Sequence, residues 1–455
     1  MLLRFRCRNF RSIREEQEFS MVAVATRTNE RNHVLLNTPL KNLKALRCTA
    51  LYGANASGKS NVLRAMARFS SIVANSQRKW EPTGEIPSWD PFELDDHSRN
   101  AETSFEIDFI LKSAVYNYGF RFTKSVFVEE WLIDNSGRAK TLFRRKTEES
   151  LTSVAFPGKN LGSTSEETKL LDLARLQTRP NSLFLSSAAQ SNHELLSSIF
   201  KWIIEGFNIL SSRDEPFRSY TAEGCSKPER KQQIRDLLVA ADTGIVDFKV
   251  SEEEPPEDFK KFVAAMAGAL KEVSAGATED MRNAPLLRHD IKMLHRGEKD
   301  GLFPLDFSDE SAGTRKYFRM LGPILDELQD GSLVLIDELE SNLHPNLARQ
   351  IVRMFNEPAL NPKGAQLVFA THDTNLLDLD LLRRDQIWFA EKNDEGVTSL
   401  KSLPDFKPRK GQEIAPAYLH GRFGAVPLLD EGLLRSGLMW PEAQAKALAT
   451  ADEDS

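Results

Sequence analysis

The eight residues Gly53-Ala54-Asn55-Ala56-Ser57-Gly58-Lys59-Ser60 constrain the fold of this chain more than any others. They fit the spacing GxxxxGK[ST], in which each part has a physical task. Glycines let backbone N–H groups wrap an anion with no Cβ in the way. A helix that starts at once afterwards turns its positive end toward the same anion. The flanks agree with this reading. Cys48-Thr49-Ala50-Leu51-Tyr52 is a short apolar strand, and Val62, Leu63, Met66, Phe69 and Ile72 follow at helical spacing. Strand, glycine loop and helix in that order point to an α/β sheet with a phosphate site at its carboxyl edge. The expected ligand is ATP with Mg²⁺. Gly53, Asn55, Ala56, Ser57, Gly58 and Asn61 form the cradle, Lys59 reaches the β- and γ-phosphates, and the Ser60 hydroxyl ligates the metal.

A second constraint is Leu333-Val334-Leu335-Ile336-Asp337-Glu338, an apolar strand of buried parallel type that ends in two carboxylates. Asp337 is expected to hold Mg²⁺, and Glu338 to orient or deprotonate the attacking water. Gln366 to Ala370 is another such strand, ending at Thr371-His372-Asp373. Upstream, Ser311-Ala312-Gly313-Thr314 opens a helical stretch marked by Tyr317, Phe318, Met320, Leu321, Ile324, Leu325 and Leu328. Pro323 is expected to kink or break that helix near Gly322.

Around these motifs the chain divides by composition. Residues 1–147 hold the first part of the head, with the phosphate loop and an antiparallel meander over Phe105 to Leu111, Tyr116 to Phe122 and Val126 to Ile133. Residues 148–300 are rich in helix formers and polar loops and read as a mainly helical insertion. Residues 301–440 resume the head, and 441–455 read as a mobile acidic tail.

Composition limits what such a head does. The formal net charge of -6 gives no global basic footprint for nucleic acid. Nucleic acid stays open as a partner, because net charge is silent about patches. Cys7, Cys48 and Cys225 form neither a CxxC pair nor a zinc pattern and suit a reducing cytoplasm. No apolar run approaches the length of a membrane helix, so no membrane partner is expected.

Phosphate loop, Ser-x-Gly segment, Asp-Glu pair and histidine, in that order, resemble the ABC-type heads of chromosome-maintenance and recombination-repair ATPases. Asn9-Phe10-Arg11-Ser12-Ile13 is similar to the start of those heads, where the basic residue lies near the nucleotide. The chain also resembles the stand-alone bacterial AAA/ABC-like ATPases of abortive-infection and phage-defence systems. Phe184-Leu185-Ser186, Glu310 to Thr314, Arg384-Asp385-Gln386-Ile387-Trp388-Phe389 and Tyr418 to Gly424 carry that likeness.

The resemblance implies an ABC-type P-loop NTPase head of α/β class, with an antiparallel β subdomain and a mainly helical insertion. It implies a homo-oligomer, at least a dimer, in which two protomers sandwich ATP head to tail. Ser311 and Gly313 of one would reach the γ-phosphate held by Lys59 of the other, His372 would contact that phosphate as a switch, and Arg11 would lie beside the nucleotide. The function so implied is a Mg²⁺-dependent ATPase that senses and regulates a separate effector, a nuclease being one candidate, in anti-phage defence. Two alternatives stand: a DNA-repair or recombination ATPase, and an ATP-binding scaffold without turnover. The Q-loop glutamine of such heads has no clear counterpart here, and Gln77 is a poor candidate.

Overall fold

Strands β1 (Leu2–Arg8), β2 (Gln17–Ser20), β3 (Val34–Leu35), β4 (Ala45–Leu46) and β5 (Cys48–Tyr52) precede helix α1 (Lys59–Asn75). Then come β6 (Thr103–Leu111), β7 (Ala114–Phe122), β8 (Phe127–Asp134), β9 (Lys140–Glu148) and β10 (Leu151–Ala155). Helices α2 (Ser165–Gln177), α3 (Phe184–Gln190) and α4 (Glu194–Gly206) lead to β11 (Ile209–Leu210), α5 (Pro216–Gly224) and α6 (Pro228–Ala240). Strands β12 (Ile245–Glu253), β13 (Arg288–Arg296) and β14 (Leu302–Asp306) come before α7 (Ala312–Asp330), β15 (Leu333–Ile336) and α8 (Pro345–Asn356). The last elements are β16 (Gln366–Thr371), β17 (Ile387–Lys392), β18 (Thr398–Ser402) and α9 (Ile414–Leu419). The structure, a computed structural model, describes residues 1–433 except 26–32, 36–37, 39, 41–42, 149–150, 160, 163, 208, 211–215, 254–287, 410, 428–429 and 431. The expected acidic tail at 441–455 lies outside the described residues.

Two large sheets carry the head. One has six strands in the order β11-β15-β16-β5-β17-β18, parallel except for the last pair. The other is antiparallel throughout, in the order β10-β9-β8-β7-β6-β1-β2. Because side chains alternate along a strand, the parallel sheet separates two cores. Leu51, Leu335, Val368, Ala370 and Trp388 face α1 and the aromatic interior of the antiparallel sheet, where Phe69 meets Phe5, Phe105 and Phe120. Cys48, Ala50, Tyr52, Val334, Ile336 and Phe369 point the other way and pack with α7 and α8. Apolar residues on both faces are what a parallel sheet needs, and they explain why these strands read as unbroken apolar runs.

Two expectations change. Helix α7 runs through Pro323 as one element. A proline inside a helix removes one N–H and costs about 3 kcal/mol or more, because the carbonyl four residues earlier loses its partner. Here that carbonyl is Arg319 O, and the Thr221 hydroxyl of α5 donates to it at 3.0 Å. Gly322 makes room for this approach, since a Cβ there would lie 2.4 Å from Thr221 Oγ1.

The segment 148–300 is also less separate and less helical than its composition suggests. Strand β10 completes the antiparallel sheet against β9, and β11 joins the parallel sheet beside β15. Strands β12, β13 and β14 form a third, antiparallel sheet that crosses the expected boundary at 300.

Candidate functional site

Strands β5, β16 and β15 are parallel neighbours, so their carboxyl ends come out side by side. Tyr52 pairs with Thr371, and Ile336 with Phe369. The residues that follow each strand therefore share one crevice: the loop from Gly53, His372 and Asp337. This is the edge at which open α/β sheets bind ligands.

The loop is built for an anion. Helix α1 starts at Lys59 with Gly58 as its N-cap, no side-chain cap and no acid in its first turn. Its positive end is thus left for a ligand. Gly58 has a φ of 105°, and a Cβ on it would lie 2.1 Å from Thr398 Oγ1, so both conformation and space require glycine. Thr398 Oγ1 donates to Ser57 O at 2.9 Å and is hydrogen-bonded with Ser12 Oγ at 2.8 Å, and Asn61 Nδ2 donates to Ser12 Oγ at 2.7 Å. These bonds tie the loop to the segment that carries Arg11. Arg11 itself pairs with Asp90 at 2.6 Å, at the edge of this cluster.

Lys59 is buried, and its ammonium donates to the loop's own carbonyls, Gly53 O at 2.7 Å and Ala54 O at 2.9 Å. Burial lowers its pKa to about 8, against the pull of Glu340, Asp337 and Glu338. The His372 ring lies 3.5 Å from the same ammonium. Burial first, and Lys59 second, lower the pKa of His372 and favour the neutral ring. The His372 main-chain N–H donates to Glu340 Oε1 at 2.7 Å, while Glu340 Oε2 is buried with no partner. Ser60 Oγ donates to Asp337 Oδ1 at 3.0 Å. Two hard oxygen ligands thus already stand together, a donor set that suits Mg²⁺.

Glu338 is exposed beyond Asp337, with a φ of 51°. From the other side the start of α7 approaches the loop 338–343. Ser311 Oγ accepts the Thr314 N–H at 3.0 Å as the N-cap of α7 and is exposed. A Cβ on Gly313 would lie 2.5 Å from Asn342 O. Ser311 and Gly313 therefore sit on the Asp-Glu side of their own chain, against the loop after β15. His344 caps α8, its Nδ1 accepting the Asn346 N–H at 3.2 Å.

Other quoted segments serve packing. Phe184 and Leu185 open α3 in the antiparallel half, with their N–H groups bound by Glu130. Tyr418 and Phe423 stack with Phe389 behind the phosphate loop, and Tyr418 also meets Tyr52. Gln77 follows the far end of α1, a helix of about 25 Å at 1.5 Å per residue, and bonds Gln177 O. Sequence reasoning missed Ser12, Thr398, Lys316 and Glu340. Only Lys316 left a trace: it lies four residues before Met320, on the buried stripe of α7.

Residues 48–378, most of the chain, match the family described as "AAA domain, putative AbiEii toxin, Type IV TA system". Among solved structures, the SMC head domain from Thermotoga maritima is similar over 88% of this chain and 98% of its own, at 11% identity and a TM-score of 0.35. No curated protein matches the chain. No helix among the described residues is long and apolar enough to cross a membrane.

Proposed function

The chain belongs to this family of AAA-type ATPase domains, and from that premise we propose that it hydrolyses ATP at a site completed by a second copy of itself, as the sensor and regulator of a separate effector in anti-phage defence. The observation that carries the reading is the convergence of Lys59, Ser60, Asp337 and His372 at three adjacent strand ends, with Ser60 Oγ 3.0 Å from Asp337 Oδ1. In this reading the N–H groups of Asn55 to Asn61 hold the phosphates. Lys59 leaves Gly53 O and Ala54 O to bind the β- and γ-phosphates. Ser60 and Asp337 would hold Mg²⁺, which would offset the negative charge of the phosphates.

Glu338 orients the attacking water and takes its proton as the new P–O bond forms and the bond to ADP breaks. His372 senses the γ-phosphate from the end of β16, between the phosphate loop and Asp337. Glu338 is exposed, and so is Ser311, so water activation and signature both face outward. That exposure supports completion of the site by a partner's Ser311 and Gly313. The family's description as a toxin of a type IV system supports the defence role.

Phage challenge of cells that carry the chain with its neighbouring genes tests the reading. Protection that disappears with Lys59→Ala, together with loss of ATP turnover in the purified variant, is the expected result. Protection that survives Lys59→Ala contradicts it.

A further inference from the structure

Lys316 does not face the crevice. It lies in the second turn of α7, 4% exposed, and its ammonium donates to two main-chain oxygens, Glu338 O at 2.8 Å and Leu339 O at 3.1 Å. An ammonium at that depth is unfavourable: burial lowers its pKa to about 8, although Glu340, Glu338 and Asp337 pull the other way. An apolar side chain of similar length would fill the space without that cost. A lysine makes sense there for its donors.

What the donors act on is visible in the backbone. Glu338 holds a φ of 51°, in the left-handed region that residues other than glycine seldom occupy. Such a conformation persists only where its surroundings over-determine it. Glu338 O accepts from Lys316 and also from the Ser341 N–H at 3.0 Å, Leu339 O accepts from Lys316, and the Leu339 N–H donates to Ala370 O at 3.2 Å. The peptide planes after Glu338 are fixed by these bonds, and with them the direction in which its side chain leaves the backbone.

The same helix begins with the residues proposed to meet a partner's nucleotide. Ser311 is its N-cap, and Gly313 rests against Asn342 O with no room for a methyl group. Helix α7 and the loop 338–342 thus meet at two points, one a tight van der Waals seat and one a charged clamp. A shift of Ser311 and Gly313 carries Lys316 with it, because one helical turn does not stretch.

We propose that Lys316 is a positioning residue that joins the start of α7 to the loop bearing Glu338, so that a partner's nucleotide seated on Ser311 and Gly313 sets the Glu338 carboxylate of the same chain. The inference rests on the dimer reading above and adds the route by which assembly switches turnover on.

The test measures ATP turnover per protomer at saturating ATP across protein concentrations that span dimer formation. Molar mass is read by light scattering and ATP affinity by titration with a fluorescent ATP analogue. In the wild type, turnover per protomer climbs with the dimer fraction. Lys316→Met is expected to bind ATP and dimerise at wild-type midpoints, while its turnover in the dimer falls by about 100-fold, the scale of a misplaced reacting group. Lys316→Arg, which keeps charge and donors, recovers most of the loss. Should Lys316→Met not fold, Lys316→Gln, which keeps a donor without the charge, gives the same comparison. A Lys316→Met or Lys316→Gln dimer that turns over ATP at the wild-type rate, or whose ATP affinity falls in step with its turnover, overturns the inference. A wild type that shows no dimer-dependent turnover removes the dimer reading and the inference with it.

Discussion

Glu130 and Arg145 in the antiparallel half, and Lys59 and Lys316 at the carboxyl edge of the parallel sheet, are all buried ionisable side chains with different kinds of partner. Glu130 Oε1 accepts the Tyr118 hydroxyl at 2.9 Å and the Leu185 N–H at 2.9 Å, and Oε2 accepts the Phe184 N–H at 2.6 Å. The carboxylate closes the start of α3, where a negative charge is favoured. Arg145 donates to Phe127 O, Arg179 O and Pro180 O, and each of these two groups offsets the other's charge. Lys59 and Lys316 likewise donate to main-chain carbonyls, but the charges that act on them are the carboxylates of the crevice, Asp337, Glu338 and Glu340. Glu130 and Arg145 answer each other inside the protein, whereas the carboxylates that act on Lys59 and Lys316 lie at the crevice. The loop carbonyls that hold Lys59 are neutral, and a phosphate is the stronger partner for an ammonium.

The largest effect expected from this contrast is kinetic. Glu338→Gln should lower phosphate release by about 10²- to 10⁴-fold, the range of a lost general base, with an unchanged melting temperature. Glu130→Ala should do the reverse. It leaves the Arg145 cation buried without its counter-charge and should cost about 3–5 kcal/mol in urea unfolding, while folded molecules keep their ATP affinity. A Glu130→Ala protein of normal stability would break the comparison.

Thr221→Val strips the donor from Arg319 O beneath Pro323 and should cost about 1–3 kcal/mol, read in the same unfolding experiment. Smallest is a pH effect. Lys59 is lowered to about 8, and its charged form binds phosphate, so affinity holds below that pH and falls as pH rises through it. The ATP dissociation constant should grow about tenfold per pH unit above 8 in titration calorimetry, since binding then needs an extra proton. Stability of the nucleotide-free chain should move the opposite way. The unfolded lysines titrate near 10.5 and bind more protons between pH 8 and 10.5, so the cost of burying Lys59 and Lys316 is full below 8 and is relieved across that window.

The meeting of the phosphate loop, the Asp337-Glu338 pair and His372 at neighbouring strand ends was legible because each directly follows an apolar run. Strand order was not, since β5 pairs with β16 and β17 more than 300 residues away. Thr398 and Ser12 escaped notice for the same reason: they touch the loop only once β18 and the segment after β1 are folded beside it. The proline rule misled at Pro323 because it is local, whereas Thr221 comes from 98 positions away from Arg319. Strand β13 was legible in principle, with His289, Ile291 and Met293 alternating with Asp290 and Lys292. The helix-forming composition of its surroundings hid that alternation.

In the proposed mechanism a second copy completes the nucleotide site. The most direct test is the molar mass of the Glu338→Gln chain by light scattering, with and without ATP and Mg²⁺, beside the same variant carrying Ser311→Arg. A rise from the 51.3 kDa protomer to twice that mass on adding ATP, abolished by Ser311→Arg, is expected. A chain that binds ATP yet keeps the protomer mass at every concentration would contradict it.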